Sequence, residues 1–136
     1  FTNALTTADY AFGLDTTESH RETVETFSPF VRDYLSATGL HPRIPPLPTE
    51  RMFFTNFFLA RISFWRTPGV QHFLHAVNAS SGTYRHRWGD APIQTAALRL
   101  HASPIAVHHL RVDYVQCAAL RCEPSSPMLN PSDRLS

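Results

Sequence analysis

Thr83-Tyr84-Arg85-His86-Arg87-Trp88-Gly89-Asp90-Ala91-Pro92-Ile93 gathers an unusual set of functional groups into one short stretch. Two Arg, one His, one Trp and one Asp fall between Arg85 and Asp90. The pattern then turns helical. Asp90 is suited to the N-cap, where a carboxylate accepts the unpaired N–H groups of a first turn, and Pro92 is tolerated there because no N–H is required of it. Apart from that proline, Ala91 to Leu100 are good helix formers, and Ser103-Pro104 stops them, so a helix is predicted near Asp90–His101. Two readings follow. The loop delivers Arg87, Trp88 and Asp90 to a sugar or a phosphate, or it is a capped helix whose Trp88 belongs to the core.

Working outward, Ser63 can cap a helix reaching Asn78, with Phe64, Phe73, Leu74 and Val77 inward and Pro68-Gly69 interrupting it early. His72 and His75 in it stand three apart, as a metal pair could, and also as two surface residues would. Asn78-Ala79-Ser80 is an acceptor for N-glycosylation in a chain that enters the secretory pathway. Further upstream, Val24, Phe27, Val31, Tyr34 and Leu35 recur at spacings of three and four, predicting a helix over Glu18–Thr38. Thr16 or Thr17 can cap it, Pro29 should kink or split it, and Gly39 ends it. The prolines of His41 to Pro48 make an extended surface connection. Strands are predicted near Asp9–Asp15, Met52–Arg61 and Ile105–Val115, the last with His108 and His109 inside it. Thr55-Asn56 interrupts the second of these; it reads as a strand end or bulge, or as a polar pair facing a ligand. Strands separated by helices need both faces covered, so the fold class is α/β with a mixed sheet flanked by helices.

At 136 residues the chain holds one domain at most, and 43% hydrophobic residues with 10 Phe, 4 Tyr and 2 Trp argue for a packed core. A net charge of +1, carried by scattered Arg with no Lys, provides no field to attract nucleic acid or an anionic membrane. No apolar run is long enough to span a bilayer, no signal peptide is visible, and the opening at Phe1 reads as a processed or truncated piece. Cys117 and Cys122 are two free thiols, or a disulfide with each other or with a segment elsewhere; spacing for a zinc site is lacking.

Arg87-Trp88-Gly89-Asp90-Ala91-Pro92 followed by an aliphatic residue resembles the signature of the fungal α-1,2-mannosyltransferases of glycosyltransferase family fifteen. The resemblance extends to Phe53-Phe54-Thr55-Asn56-Phe57, to Phe64-Trp65-Arg66-Thr67-Pro68, to Tyr10-Ala11-Phe12-Gly13, and to Asp113-Tyr114 with Cys122, in the family's order. It covers most of residues 8 to 122, and the hexapeptide is its specific part.

The resemblance implies that residues 1–122 are the C-terminal portion of a nucleotide-sugar (GT-A-like) fold; from Glu123 onward three prolines and several serines predict a flexible tail over 123–136. It implies transfer of mannose from GDP-mannose, with retention, to a mannose-terminated glycan, in the secretory pathway and the Golgi lumen. A manganese ion would neutralise the diphosphate leaving group, its ligands mostly outside this chain. Asp90, Asp113 and His86 become the catalytic candidates, and Asn56, Tyr84, Arg87 and Trp88 the substrate-facing ones; no metal ligand is assigned.

Two departures matter. The family pattern reads Glu-Arg-Trp-Gly-Asp, with that Glu its candidate nucleophile, whereas here the position is His86, and an imidazole cannot form the same glycosyl ester. The family's acidic metal strand lies upstream of the matched region, and Gln116 stands near Tyr114 where the family has His. The chain is therefore part of a diverged mannosyltransferase, or a sugar-binding module or pseudoenzyme that keeps the loop without the nucleophile. Either way the isolated 136 residues are expected not to transfer mannose.

Overall fold

The computed structural model describes residues 7–45 and 51–111, and the backbone of 115–118 and 121–124. Tyr10–Phe12 forms β1 and Asp15–Thr17 forms β2. The single strand expected over Asp9–Asp15 is thus two, and they enter different sheets. A long helix, α1 (Arg21–Thr38), follows. Its N-cap is His20 rather than a threonine, and its apolar stripe buries Phe27 and Tyr34 with Phe30, Val31 and Leu35 packed alongside. Pro29 lies within it without ending it. Gly39 closes the helix in the left-handed region, φ 66°, and its N–H donates to the Leu35 carbonyl at 2.9 Å.

β3 (Arg51–Phe53) and β4 (Phe58–Ala60) replace the continuous strand expected over Met52–Arg61. Thr55 and Asn56 form the turn between them, which lets the chain pass from one sheet to another and spares a buried strand an unpaired polar pair. Next come α2 (Ile62–Trp65) and α3 (Pro68–Ser80). The expected helix over Ser63–Asn78 is split because Pro68 cannot continue a helix but can begin one. A short α4 (Gly82–Arg85) leads to α5 (Asp90–His101). A 3-10 turn at Pro104–Ala106 precedes β5 (Val107–His109), shorter than the strand expected there. β6 (Val115–Ala118) and β7 (Arg121–Pro124) pair as an antiparallel hairpin. β7 includes Glu123 and Pro124, the start of the expected tail, and residues 125–136 lie outside the described ones.

The main sheet runs β4-β1-β5, with β1 antiparallel to β4 and parallel to β5, so it is mixed, as the helix–strand alternation required. β2 and β3 form a separate antiparallel pair. The Arg51 guanidinium bonds the Asp15 carboxylate across that pair. The core is aromatic: Tyr10 and Phe73 are fully buried, Phe12 stacks on Phe53 at 4.2 Å, and Tyr34 meets Phe73 edge-on at 5.2 Å. Inside it, the Phe53 N–H at the end of β3 donates to the buried Thr95 Oγ1 on α5 at 2.8 Å, tying the small sheet to that helix. Among the described residues no helix is long and apolar enough to cross a membrane.

Stability at the C-terminal end of α5 is expected to depend on pH. Its Arg99 carbonyl accepts the N–H groups of Arg43 and Ile44, at 2.9 and 3.0 Å, while the Arg43 guanidinium donates to the His101 carbonyl at 3.2 Å. Burial first, then the neighbouring Arg43 and His72, push the His101 imidazole below its ordinary 6.5. The unfolded chain therefore binds this proton at a higher pH than the folded one. The stability involved is complete above about pH 6.5 and is lost as the pH falls below it. Denaturant midpoints compared at pH 7.5 and pH 5.5 should drop at the lower pH, and drop less in His101→Gln. An equal drop in both proteins would assign the effect to other groups.

Candidate functional site

The Arg87–Pro92 loop is held by residues far away in the chain. α4 ends at His86, whose N–H donates to the Gly82 carbonyl at 2.8 Å. Arg87 then takes the left-handed conformation, φ 54°, a strained setting for a side chain other than Gly. That reversal is braced from α1. Thr23, itself buried, donates its hydroxyl toward the carbonyls of His86 at 3.4 Å and Arg87 at 3.2 Å. The Trp88 indole N–H donates to Thr26 Oγ1 at 2.8 Å. The indole sits edge-on to Phe27 at 5.1 Å and tilted against Phe30 at 4.8 Å.

Trp88 is 4% exposed. Expected among the sugar-facing groups, it is a core residue: the apolar face of α1 covers its ring, and the indole ties the loop to that helix. Gly82 makes this possible, because a Cβ there would overlap the six-membered ring of Trp88. In an unhindered helix Gly→Ala gains about 1 kcal/mol. Here Gly82→Ala should instead cost about 1–3 kcal/mol through overpacking, read by denaturant unfolding. A stabilised variant would mean that the indole yields easily.

Asp90 is not the N-cap. Gly89 occupies that position, extended at φ −80° and ψ 175°, and no side chain caps the helix. A Gly cap costs only a few tenths of a kcal/mol relative to the best residues. Asp90 becomes the first helical residue, exposed at the positive end of α5, where the helix dipole favours its charge. Near it lies Tyr10, whose hydroxyl reaches Gln94 Oε1 at 3.5 Å. Burial, and then the Asp90 charge, raise the Tyr10 phenol well above its ordinary range, so it stays protonated as a donor.

On the other flank, His86 Nδ1 lies 3.0 Å from Glu22 Oε1, and the Arg87 guanidinium donates to His20 Nε2 at 3.4 Å. Tyr84 is 85% exposed and Asn56 stands on the exposed β3–β4 turn. The structure thus brings His86, Arg87 and Asp90 to one loop and leaves Tyr84 beside it on α4. Asp113 lies outside the described residues. His20, Glu22, Thr23 and Thr26 were not singled out from sequence as site residues; a carboxylate in a helix's first turn is too common a feature to mark one.

The described residues do not assemble a metal site. No three His, Cys, Asp or Glu side chains among them come together. His72, one of the candidate pair, is hydrogen-bonded to Tyr34 at 2.7 Å.

A family model described as glycolipid 2-alpha-mannosyltransferase matches residues 50–133. The chain belongs to this mannosyltransferase family. The match spans the β3–β4 turn and the Arg87–Pro92 loop. Among curated relatives, it is 26% identical over 111 residues to the probable mannosyltransferase MNT3 of Candida albicans, covering 72% of this chain and 29% of that protein. It is 28% identical over 110 residues to the O-glycoside alpha-1,2-mannosyltransferase omh1 of Schizosaccharomyces pombe, covering 73% and 28%. The chain therefore spans less than a third of the length of these mannosyltransferases. Its fold matches core-mannan synthase A (CmsA/Ktr4) of Aspergillus fumigatus, solved in an Mn/GDP form, with a TM-score of 0.67, 21% identity, and coverage of 88% of this chain and 39% of that one.

Proposed function

We propose that this chain is the acceptor-side segment of an α-1,2-mannosyltransferase that takes mannose from GDP-mannose and joins it, with retention, to a mannose-terminated glycan. The observation that carries this reading is the loop built on Trp88. It holds Arg87 and Asp90 exposed on a backbone fixed by α1, which is what differential binding of a sugar transition state needs. Asp90 would stabilise the positive charge that develops at the anomeric carbon, with the helix end steadying the carboxylate. Arg87, Tyr84 and Asn56 would bind sugar hydroxyls. Asp113 would be a second carboxylate.

Family membership favours the enzyme over a sugar-binding module. The GDP and manganese in the structure of core-mannan synthase A support the donor and the ion. The ion would neutralise the departing diphosphate. The described residues do not fit it, so its ligands would come from elsewhere in the full-length protein. Such an enzyme would act in the secretory pathway, in the Golgi lumen.

The test is a transfer assay on the full-length protein with GDP-mannose, manganese and an α-mannoside acceptor. One added hexose, removed by an α-1,2-specific mannosidase, is the expected product. A folded, metal-supplied protein that adds no mannose would overturn the proposal.

A further inference from the structure

We infer that His86, oriented by Glu22 from the first turn of α1, is the group that takes the proton of the acceptor hydroxyl. This rests on the mannosyltransferase reading above. His86 is pinned at three points: its N–H to the Gly82 carbonyl at 2.8 Å, its own carbonyl by Thr23 at 3.4 Å, and its ring Nδ1 at 3.0 Å from Glu22 Oε1. A carboxylate on Nδ1 fixes the tautomer that leaves Nε2 with the lone pair, which is the arrangement a general base requires. Among the described residues no hydrogen bond engages Nε2. The His86 side chain is 37% exposed, so a substrate can reach it.

The contact has little structural reason to exist. Glu22 is 51% exposed, and surface pairs of this kind add little to stability. The loop is already anchored by Trp88 and Thr23. What the pair does add is orientation of one imidazole beside the Asp90 loop.

In the step, the acceptor O–H bond breaks and its proton passes to His86 Nε2. The bond from the anomeric carbon to the diphosphate breaks with its pair leaving on GDP, and the acceptor oxygen's electron pair forms the new bond on the face the diphosphate has left, as retention requires. Glu22 balances the imidazolium until it returns the proton to solvent. Glu22 is thus a positioning residue and His86 a catalytic one.

The experiment uses the full-length protein with GDP-mannose, manganese and an α-mannoside acceptor. His86→Ala should lower kcat roughly 100-fold or more, the range lost with a general base. Exogenous imidazole should recover about tenfold of that loss, a response that a purely structural defect would not give. Glu22→Gln should lower kcat about tenfold with KM unchanged, and in Glu22→Gln/His86→Ala the imidazole rescue should be weaker. Glu25→Gln, whose residue pairs with Arg21 on the exposed face of α1, should behave as wild type. Unfolding midpoints of each variant show whether it is folded. A wild type that transfers mannose while folded His86→Ala keeps its kcat, or is not rescued, overturns the dyad alone. Wild-type kcat in Glu22→Gln removes Glu22 from it. A wild type that transfers no mannose overturns the function and the dyad together.

Discussion

Trp88→Ala should lower the unfolding free energy by about 3–5 kcal/mol, the range for truncating a buried large aromatic. Small domains are stable by only about 5–15 kcal/mol, so this is a fifth of the total or more. Three losses add up. The ring leaves a void between Phe27, Phe30 and Gly82. Thr26 loses the indole that donates to it. The strained Arg87 backbone loses the anchor that follows it. Trp88→Phe narrows these terms, because it keeps part of the apolar contact while removing the hydrogen bond, worth about 0.5–1.5 kcal/mol, and the five-membered part of the ring. The two ends of the contact should also be coupled. Gly82→Ala overpacks against the indole, so in a Trp88→Ala background its penalty should vanish, giving a non-additive cycle. A loss below about 1 kcal/mol for Trp88→Ala would show that the indole is not the anchor described here.

Asp90→Asn should cut transfer by roughly 100-fold or more while changing stability by less than about 1 kcal/mol. The structure makes this a clean separation. Had Asp90 been the N-cap, its replacement would probe the helix as much as the chemistry, but Gly89 holds that place and no side-chain cap bond is lost. What Asn removes is charge: a favourable interaction with the helix end, worth a few tenths of a kcal/mol at an exposed site, and, on the proposed function, the field at the anomeric carbon. The full-length protein, assayed for kcat/KM beside a denaturant curve, gives both numbers. Wild-type kcat/KM in a folded Asp90→Asn protein would exclude Asp90 from the reaction.

The boundaries of α5 and the end of α1 were legible because their signals are local. Ala91 to Leu100 are helix formers stopped at Ser103-Pro104, and Gly39 is the residue that a left-handed terminus selects. The strands were legible in place but not in extent. Each in the main sheet is three residues long, too short for alternation to mark its ends, and their apolar flanks made turns look like strand. The Thr55-Asn56 turn was hidden in this way inside an aromatic run. The loop's residues could be read from the sequence, but the site's other half could not. His20, Glu22, Thr23 and Thr26 meet the loop across more than 60 positions, and nothing in their neighbours' identities encodes that approach. The two readings of Trp88 needed the same missing fact, since only the position of α1 decides whether the ring is covered.

The pairing of β1 with β5 also sets a clock. Tyr10 lies beside Val107, and the ladder is extended by the Asp9 N–H to the Ala106 carbonyl and the Leu110 N–H to the Phe12 carbonyl, both at 2.8 Å. At a synthesis rate of about 5–20 residues per second, about 5–20 seconds separate the emergence of these partners from the ribosome. β4 becomes available about halfway through that interval and can shield one edge of β1. The other edge, with Tyr10 and Phe12 beside it, waits for the far end of the domain. The nascent chain therefore carries an apolar strand with an open ladder until β5 arrives. Shelter by chaperones should matter most for this protein during translation, well before any substrate is met.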